Sequence, residues 1–89
     1  MRQDYIIQNP LGIHARPARK IVEAAKAFPC SVTLEKEGRT YNARSLVHVI
    51  SAGARFGDRV TVAAEGEQAE AAVAAVGHIL TSMYDLAGG

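Results

Sequence analysis

Ten residues near the start of the chain, Asn9-Pro10-Leu11-Gly12-Ile13-His14-Ala15-Arg16-Pro17-Ala18, constrain it more than any other stretch. Asn-Pro and Gly are turn formers, so an extended segment ends and bends here. Pro17 has no N–H, and its fixed φ suits a first helical turn, where no internal acceptor waits for the missing donor. Ala18, Ile21, Val22 and Ala25 then recur at i, i+3, i+4 and i+7, which predicts an amphipathic helix over roughly Arg16 to Ala27. His14 is thus expected at or just before the N-terminus of that helix, with Arg16 two residues on. Free backbone N–H groups and the positive end of the helix dipole make such a place suitable for an anion.

That position has a chemical consequence. The positive dipole end disfavours imidazolium, so His14 is expected to be neutral near physiological pH, with a lone pair available for attack. A phosphoryl group taken there would meet helix amides and the Arg16 guanidinium, although Pro17 contributes no donor. From the spacing alone the simpler reading is favoured: a histidine that only caps the helix and an arginine that sits in water.

The rest of the chain narrows the choice. Eighty-nine residues suffice for one modest core, so a single domain over residues 1–89 is expected. Apolar residues make up 48% and charged residues 21%, which argues against disorder. A net charge of +1 gives no basic field for nucleic acid, and the strands lack paired aromatics for base stacking. No apolar run approaches the roughly 18–20 residues of a membrane span. Met1-Arg2-Gln3-Asp4 leads into an alternating segment rather than a signal-peptide block. Cys30 is alone, so neither an internal disulfide nor a thiolate metal site is expected, and a cytoplasmic protein is the simplest expectation. No Gly-rich nucleotide loop is present.

Periodicity switches between two and 3.6 along the chain. Tyr5 and Ile7 oppose Asp4, Ile6 and Gln8 in a first strand. Phe28-Pro29 closes the first helix, because the residue before a proline is biased out of helical geometry. Cys30, Val32 and Leu34 define a second strand, and Glu37-Gly38 turns it into a third holding Tyr41 and Ala43. Ser45 opens a short helical stretch with Leu46, Val49 and Ile50 on one face. Gly53 and Gly57-Asp58 break it before a fourth strand of Val60, Val62 and Ala64. Gly66 ends that strand. A last helix is expected from Glu67 to Leu86, with Ala69, Ala72, Val73, Val76, Leu80 and Met83 inward and Glu67 and Glu70 complementing its dipole. Ala87-Gly88-Gly89 is expected to fray. The order β-α-β-β-α-β-α predicts an α+β open-faced sandwich: a four-stranded antiparallel sheet with three helices on one face. Ile6, Thr33, Glu35 and Thr61 would line the other, wetter face.

The decapeptide around His14, with Ala43-Arg44-Ser45-Leu46 and Gly57-Asp58-Arg59-Val60-Thr61-Val62, resembles the histidine-containing phosphocarrier (HPr) family of the phosphoenolpyruvate-dependent phosphotransferase system. The similarity runs over about residues 3 to 86. It implies the same open-faced sandwich and a carrier, not an enzyme turning over alone. It also implies that His14 takes phosphate on Nδ1 from enzyme I and passes it to enzyme IIA domains for sugar uptake. A paralogue of the nitrogen-related branch, sharing this stretch and using the same chemistry for signalling, is the alternative.

Arg16 would stabilise the phosphoryl group and Pro17 would set the helix start. A carrier must hold its phosphate only moderately, which partly solvated groups achieve and a buried cage would not. Ile13, Leu46, Val47 and Ile50 are candidates for a partner-docking surface, with core packing as the competing role. Leu46 and Ile50 are expected at least half buried, and Val47 exposed. Ser45 is expected to cap the second helix. In many Gram-positive-type members of the family a dedicated kinase phosphorylates this serine, which implies a kinase and phosphatase acting on it. Arg19 replaces a small residue usual in the family and adds a second positive charge near Arg16; of strengthening phosphate attraction and sitting in water, the second is expected, with the side chain pointing around the helix away from His14. His48 and His78 lack metal-ligand spacing, and no metal, cofactor or membrane insertion is expected. A relay that must expose His14 favours a monomer.

Overall fold

Four alternating segments pair into one sheet because their apolar positions fall on a common face. The computed structural model describes residues 1–10, 12–13 and 15–82. The chain runs β1 (Arg2–Ile6), α1 (Ala15–Lys26), β2 (Ser31–Lys36), β3 (Arg39–Asn42), α2 (Leu46–Ser51), β4 (Arg59–Glu65) and α3 (Ala69–Leu80). The sheet has the order β1-β4-β2-β3, every pair antiparallel. This is the open-faced sandwich expected from periodicity.

The register places Tyr5 opposite Val60, and Leu34 between Val62 and Tyr41. Val32, Leu34, Val60, Val62 and Ala64 are buried under the helices, which contribute Ile21, Val22, Val49, Val73, Val76 and Leu80. Ile6 is exposed and Thr33, Glu35 and Thr61 are half-buried on the opposite face. Charge there is paired: Arg2 Nη1 and Nη2 donate to the Glu35 carboxylate, both at 2.6 Å, and Thr61 Oγ1 donates to Asp4 Oδ1 at 2.6 Å. The hydrogen bond to Glu35, then its charge, raises the Arg2 guanidinium above its ordinary range. Glu37 and Gly38 have φ of 51° and 78°, the double left-handed turn whose twist matches a two-residue hairpin.

Four helix boundaries differ from expectation. Helix α1 starts and ends one residue early, at Ala15 and Lys26. Helix α3 starts at Ala69 instead of Glu67, because Gly66 (φ 119°) and Gln68 (φ 62°) hold the chain out of right-handed helix. Glu67 therefore precedes the helix, and Glu70 is the acid of its first turn. The helix stops at Leu80, where Thr81 takes φ −96° and ψ 3° and its Oγ1 donates to Gly77 O at 3.0 Å. Leu11, His14 and residues 83–89, including Met83, Leu86 and the terminal glycines, lie outside the described residues.

Two local features fix the helices. Ser45 is extended (φ −118°, ψ 120°) and its Oγ accepts from the His48 N–H at 3.4 Å, capping α2. His48 Nδ1 in turn accepts from the Asn42 N–H at 3.3 Å, tying α2 to the end of β3. Gly77 on α3 faces the Tyr5 ring so closely that an added Cβ would lie 2.0 Å from Tyr5 Cζ.

Replacing Ser45 by Ala should cost about 1 kcal/mol in denaturant unfolding, the usual loss of a hydroxyl cap. Gly77→Ala should destabilise by about 1–2 kcal/mol, since overpacking outweighs the gain in helix propensity. In a Tyr5→Ala background the same change should become neutral or stabilising; destabilisation persisting there would contradict the ring contact.

Candidate functional site

The site is built where the turn after β1 meets the loop between α2 and β4. The Gly12 N–H donates to Asn9 O at 2.9 Å, closing a turn that begins on Asn9-Pro10. Gly12 has φ +72°, and a Cβ there would lie 2.6 Å from Ala54 O and 2.9 Å from Arg55 Cα. Only glycine meets both demands, the left-handed backbone and the direct approach of a second chain segment. The next amide, on Ile13, donates to Ala54 O at 2.9 Å. Asn9 is buried, 3% exposed, beneath this turn.

The opposing loop is itself braced. The Arg55 N–H donates to Asp58 Oδ2 at 2.9 Å and the Asp58 N–H to Arg55 O at 2.9 Å. The Gly57 N–H reaches Ile7 O and the Ile7 N–H reaches Asp58 O, both 2.9 Å, while the Gln8 N–H reaches Leu80 O at 3.0 Å. The histidine turn is thus bound to its surroundings before it, at Ile7 and Gln8, and within it, at Gly12 and Ile13.

The turn then enters α1 at Ala15. Pro17 is the third helical residue, within the four whose N–H groups lack intrahelical acceptors, so its ring costs no hydrogen bond. Pro17 and Ala18 are buried, whereas Ala15, Arg16 and Arg19 are exposed. The first turn carries no acid. Ala15, Arg16 and Arg19 surround a shallow depression of about 230 Å³. His14 itself lies outside the described residues.

The proposed docking residues divide. Ile13 is 8% exposed and belongs to the core, so it is not a surface contact. Its backbone is drawn to Ala54 and its side chain follows inward. On α2, Val49 is the buried residue, while Leu46 is 38% exposed, Ile50 44% and Val47 72%. Phe56 is also 59% exposed, on the bracing loop. An isolated aromatic between Arg55 and Gly57 carries no periodic signal that would have singled it out. His48 and His78 are exposed, and among the described residues no group of three or more His, Cys, Asp or Glu could hold a metal ion. No helix among them is long and apolar enough to cross a membrane.

Comparison with known proteins fits this geometry. The chain is 34% identical over 82 residues to the multiphosphoryl transfer protein of Salmonella typhimurium, an alignment covering 89% of this chain but 22% of that relative. The chain thus spans about a fifth of the length of the curated relatives it matches. A phosphocarrier protein HPr from Bacillus anthracis superposes with a TM-score of 0.86 at 30% identity, covering 90% of this chain and 95% of that one. The HPr-C-His protein of Thermoanaerobacter tengcongensis gives 0.85 at 32% identity, covering 90% of each chain. Residues 1–82 match the family model described as the PTS HPr component phosphorylation site. A glycine clamp, a helix opening on Ala-Arg-Pro and a βαββαβα sandwich therefore come together in a member of the HPr family, the phosphocarriers of the phosphotransferase system.

Proposed function

We propose that His14 is the phosphoryl acceptor, charged from phosphoenolpyruvate through enzyme I and discharged to enzyme IIA domains in sugar uptake. Support comes chiefly from one observation: the backbone clamp of Gly12 and Ile13 on Ala54 fixes the chain one residue before position 14, and α1 begins one residue after it. A nucleophile oriented before its donor approaches has less freedom to lose in the transfer, and anchored neighbours favour that. In charging, the Nδ1 lone pair forms the new N–P bond as the bond from phosphorus to the donor breaks, its electron pair leaving with the donor. Discharge reverses the roles, with the imidazole as leaving group.

Arg16 is assigned to the phosphoryl oxygens and Pro17 to the helix start. Leu46, Val47 and Ile50 form the docking patch, an exposed apolar set on a helix whose interior needs are met by Val49. Small apolar patches of this kind suit brief encounters with several partners. Ser45 is assigned a regulatory role in addition to its cap. Phosphorylating it would replace a neutral acceptor at the head of this patch with a dianion, which repels acidic partner surfaces.

Incubation with phosphoenolpyruvate and catalytic enzyme I should yield an acid-labile, base-stable phosphate. His14→Ala should abolish it, and Arg16→Ala should slow transfer by about tenfold, the effect of losing about 1.4 kcal/mol of transition-state stabilisation. Labelling that persists in His14→Ala would refute the assignment.

A further inference from the structure

We infer that His48 is a positioning residue for partner docking: through the Asn42 amide its imidazole fixes the pose of α2, and with it the patch of Leu46, Val47 and Ile50. The partners are those of the carrier reading, on which this role rests. Strand β3 ends the sheet order β1-β4-β2-β3, so it has a neighbour on one side only. The Ala43 N–H turns toward β2 and donates to Val32 O at 3.0 Å. Successive strand amides alternate in direction, so the Asn42 N–H points off the sheet, where no strand takes it. His48 Nδ1 accepts it instead, at 3.3 Å.

That contact completes a ring of local bonds around the start of α2. The Arg44 N–H donates to Asn42 Oδ1 at 2.9 Å, the Ser45 N–H to Asn42 O at 3.1 Å, and the His48 N–H to Ser45 Oγ at 3.4 Å. His48 is the third helical residue, the place where a capping box puts a side-chain acceptor that reaches back to the cap. Here the acceptor reaches past the cap, onto the last residue of β3. Helix α2 depends on such a tie. Six residues are too few for a helix to hold itself in water, and Val49 alone among them is buried. A helix on one apolar anchor rocks about it, and a bond from its first turn to the sheet removes that freedom. Leu46 and Val47 precede His48 and Ile50 follows it, so a tilt of α2 displaces all three. The bond also sets the tautomer: Nδ1 accepts only with its lone pair free, which leaves the ring proton on Nε2.

The experiment begins on the unphosphorylated protein. A long-range proton–nitrogen NMR spectrum at about pH 8, above the ordinary imidazole range, should show His48 with its proton on Nε2, and hydrogen exchange should find the Asn42 amide protected. His48→Leu should lose that protection. His48→Asn, whose Oδ1 lies where Nδ1 stood, should restore it. Kinetics of phosphorylation by enzyme I and phosphoenolpyruvate then read the docking role. His48→Leu should raise the KM for this protein about threefold to tenfold at unchanged kcat, the equivalent of one net hydrogen bond, and His48→Asn should return it close to the wild-type value. His48 is exposed, so both variants should keep the wild-type circular dichroism. A ring proton on Nδ1, or an Asn42 amide equally protected in His48→Leu, would overturn the contact and the inference with it. Lost protection at an unchanged KM would overturn the docking role. A raised KM that His48→Asn leaves unrescued would overturn it too, assigning His48 to direct contact with the partner. A wild-type protein that takes no phosphate would overturn the carrier reading and the docking role together, while the spectrum and the exchange still decide the contact.

Discussion

At Gly12 two backbone segments approach until no methyl group would fit between them: a Cβ there would stand 2.6 Å from the carbonyl oxygen of Ala54. That contact holds the functional turn. The left-handed glycine turns the chain so that the Ile13 amide meets Ala54 and the Ile13 side chain enters the core. The bracing loop is in turn bound to the end of β1 through Ile7, Gly57 and Asp58. Backbone hydrogen bonds, insensitive to side-chain rotamers, thus link the sheet, the α2–β4 loop and the start of α1.

Rigid support with exposed chemistry is the combination a carrier requires. Asn9, Gly12 and Ile13, ahead of position 14, are buried, whereas Ala15, Arg16 and Arg19 face solvent. Cations in water are screened, so a phosphoryl group carried as proposed at position 14 would be stabilised only moderately and stay transferable. The same division recurs on α2, where Val49 anchors the helix and Leu46, Val47 and Ile50 stay accessible. An interior apolar residue holds each element in place, and its neighbours one step around the helix remain available to a partner.

Much of this architecture was legible in the residues. Alternation gave the strands, because Val32, Leu34, Val60 and Val62 have one burial face and one wet face. Pro17, Ser45 and the Glu37-Gly38 turn announced local geometry through their own backbone preferences. Features decided by segments distant in sequence were not legible. Gly12 read as a turn residue, and nothing local indicated that Ala54 would lie against it. For Ile13 docking surface and core packing both stood open, and the pull of its amide toward Ala54, a distant segment, decides for the core. The late start of α3 followed from Gln68 adopting a left-handed φ of 62°, against the ordinary preference of a non-glycine residue.

The account stands or falls on the rigidity of the clamp, and amide hydrogen exchange at Ile13 reads it directly. A turn pinned to Ala54 predicts that the Ile13 amide exchanges as slowly as amides of the central strands β2 and β4, opening only with the whole domain. Exchange as fast as at an unprotected surface amide would mean that the histidine turn is not held by this contact, and the preorganised site described above would not exist.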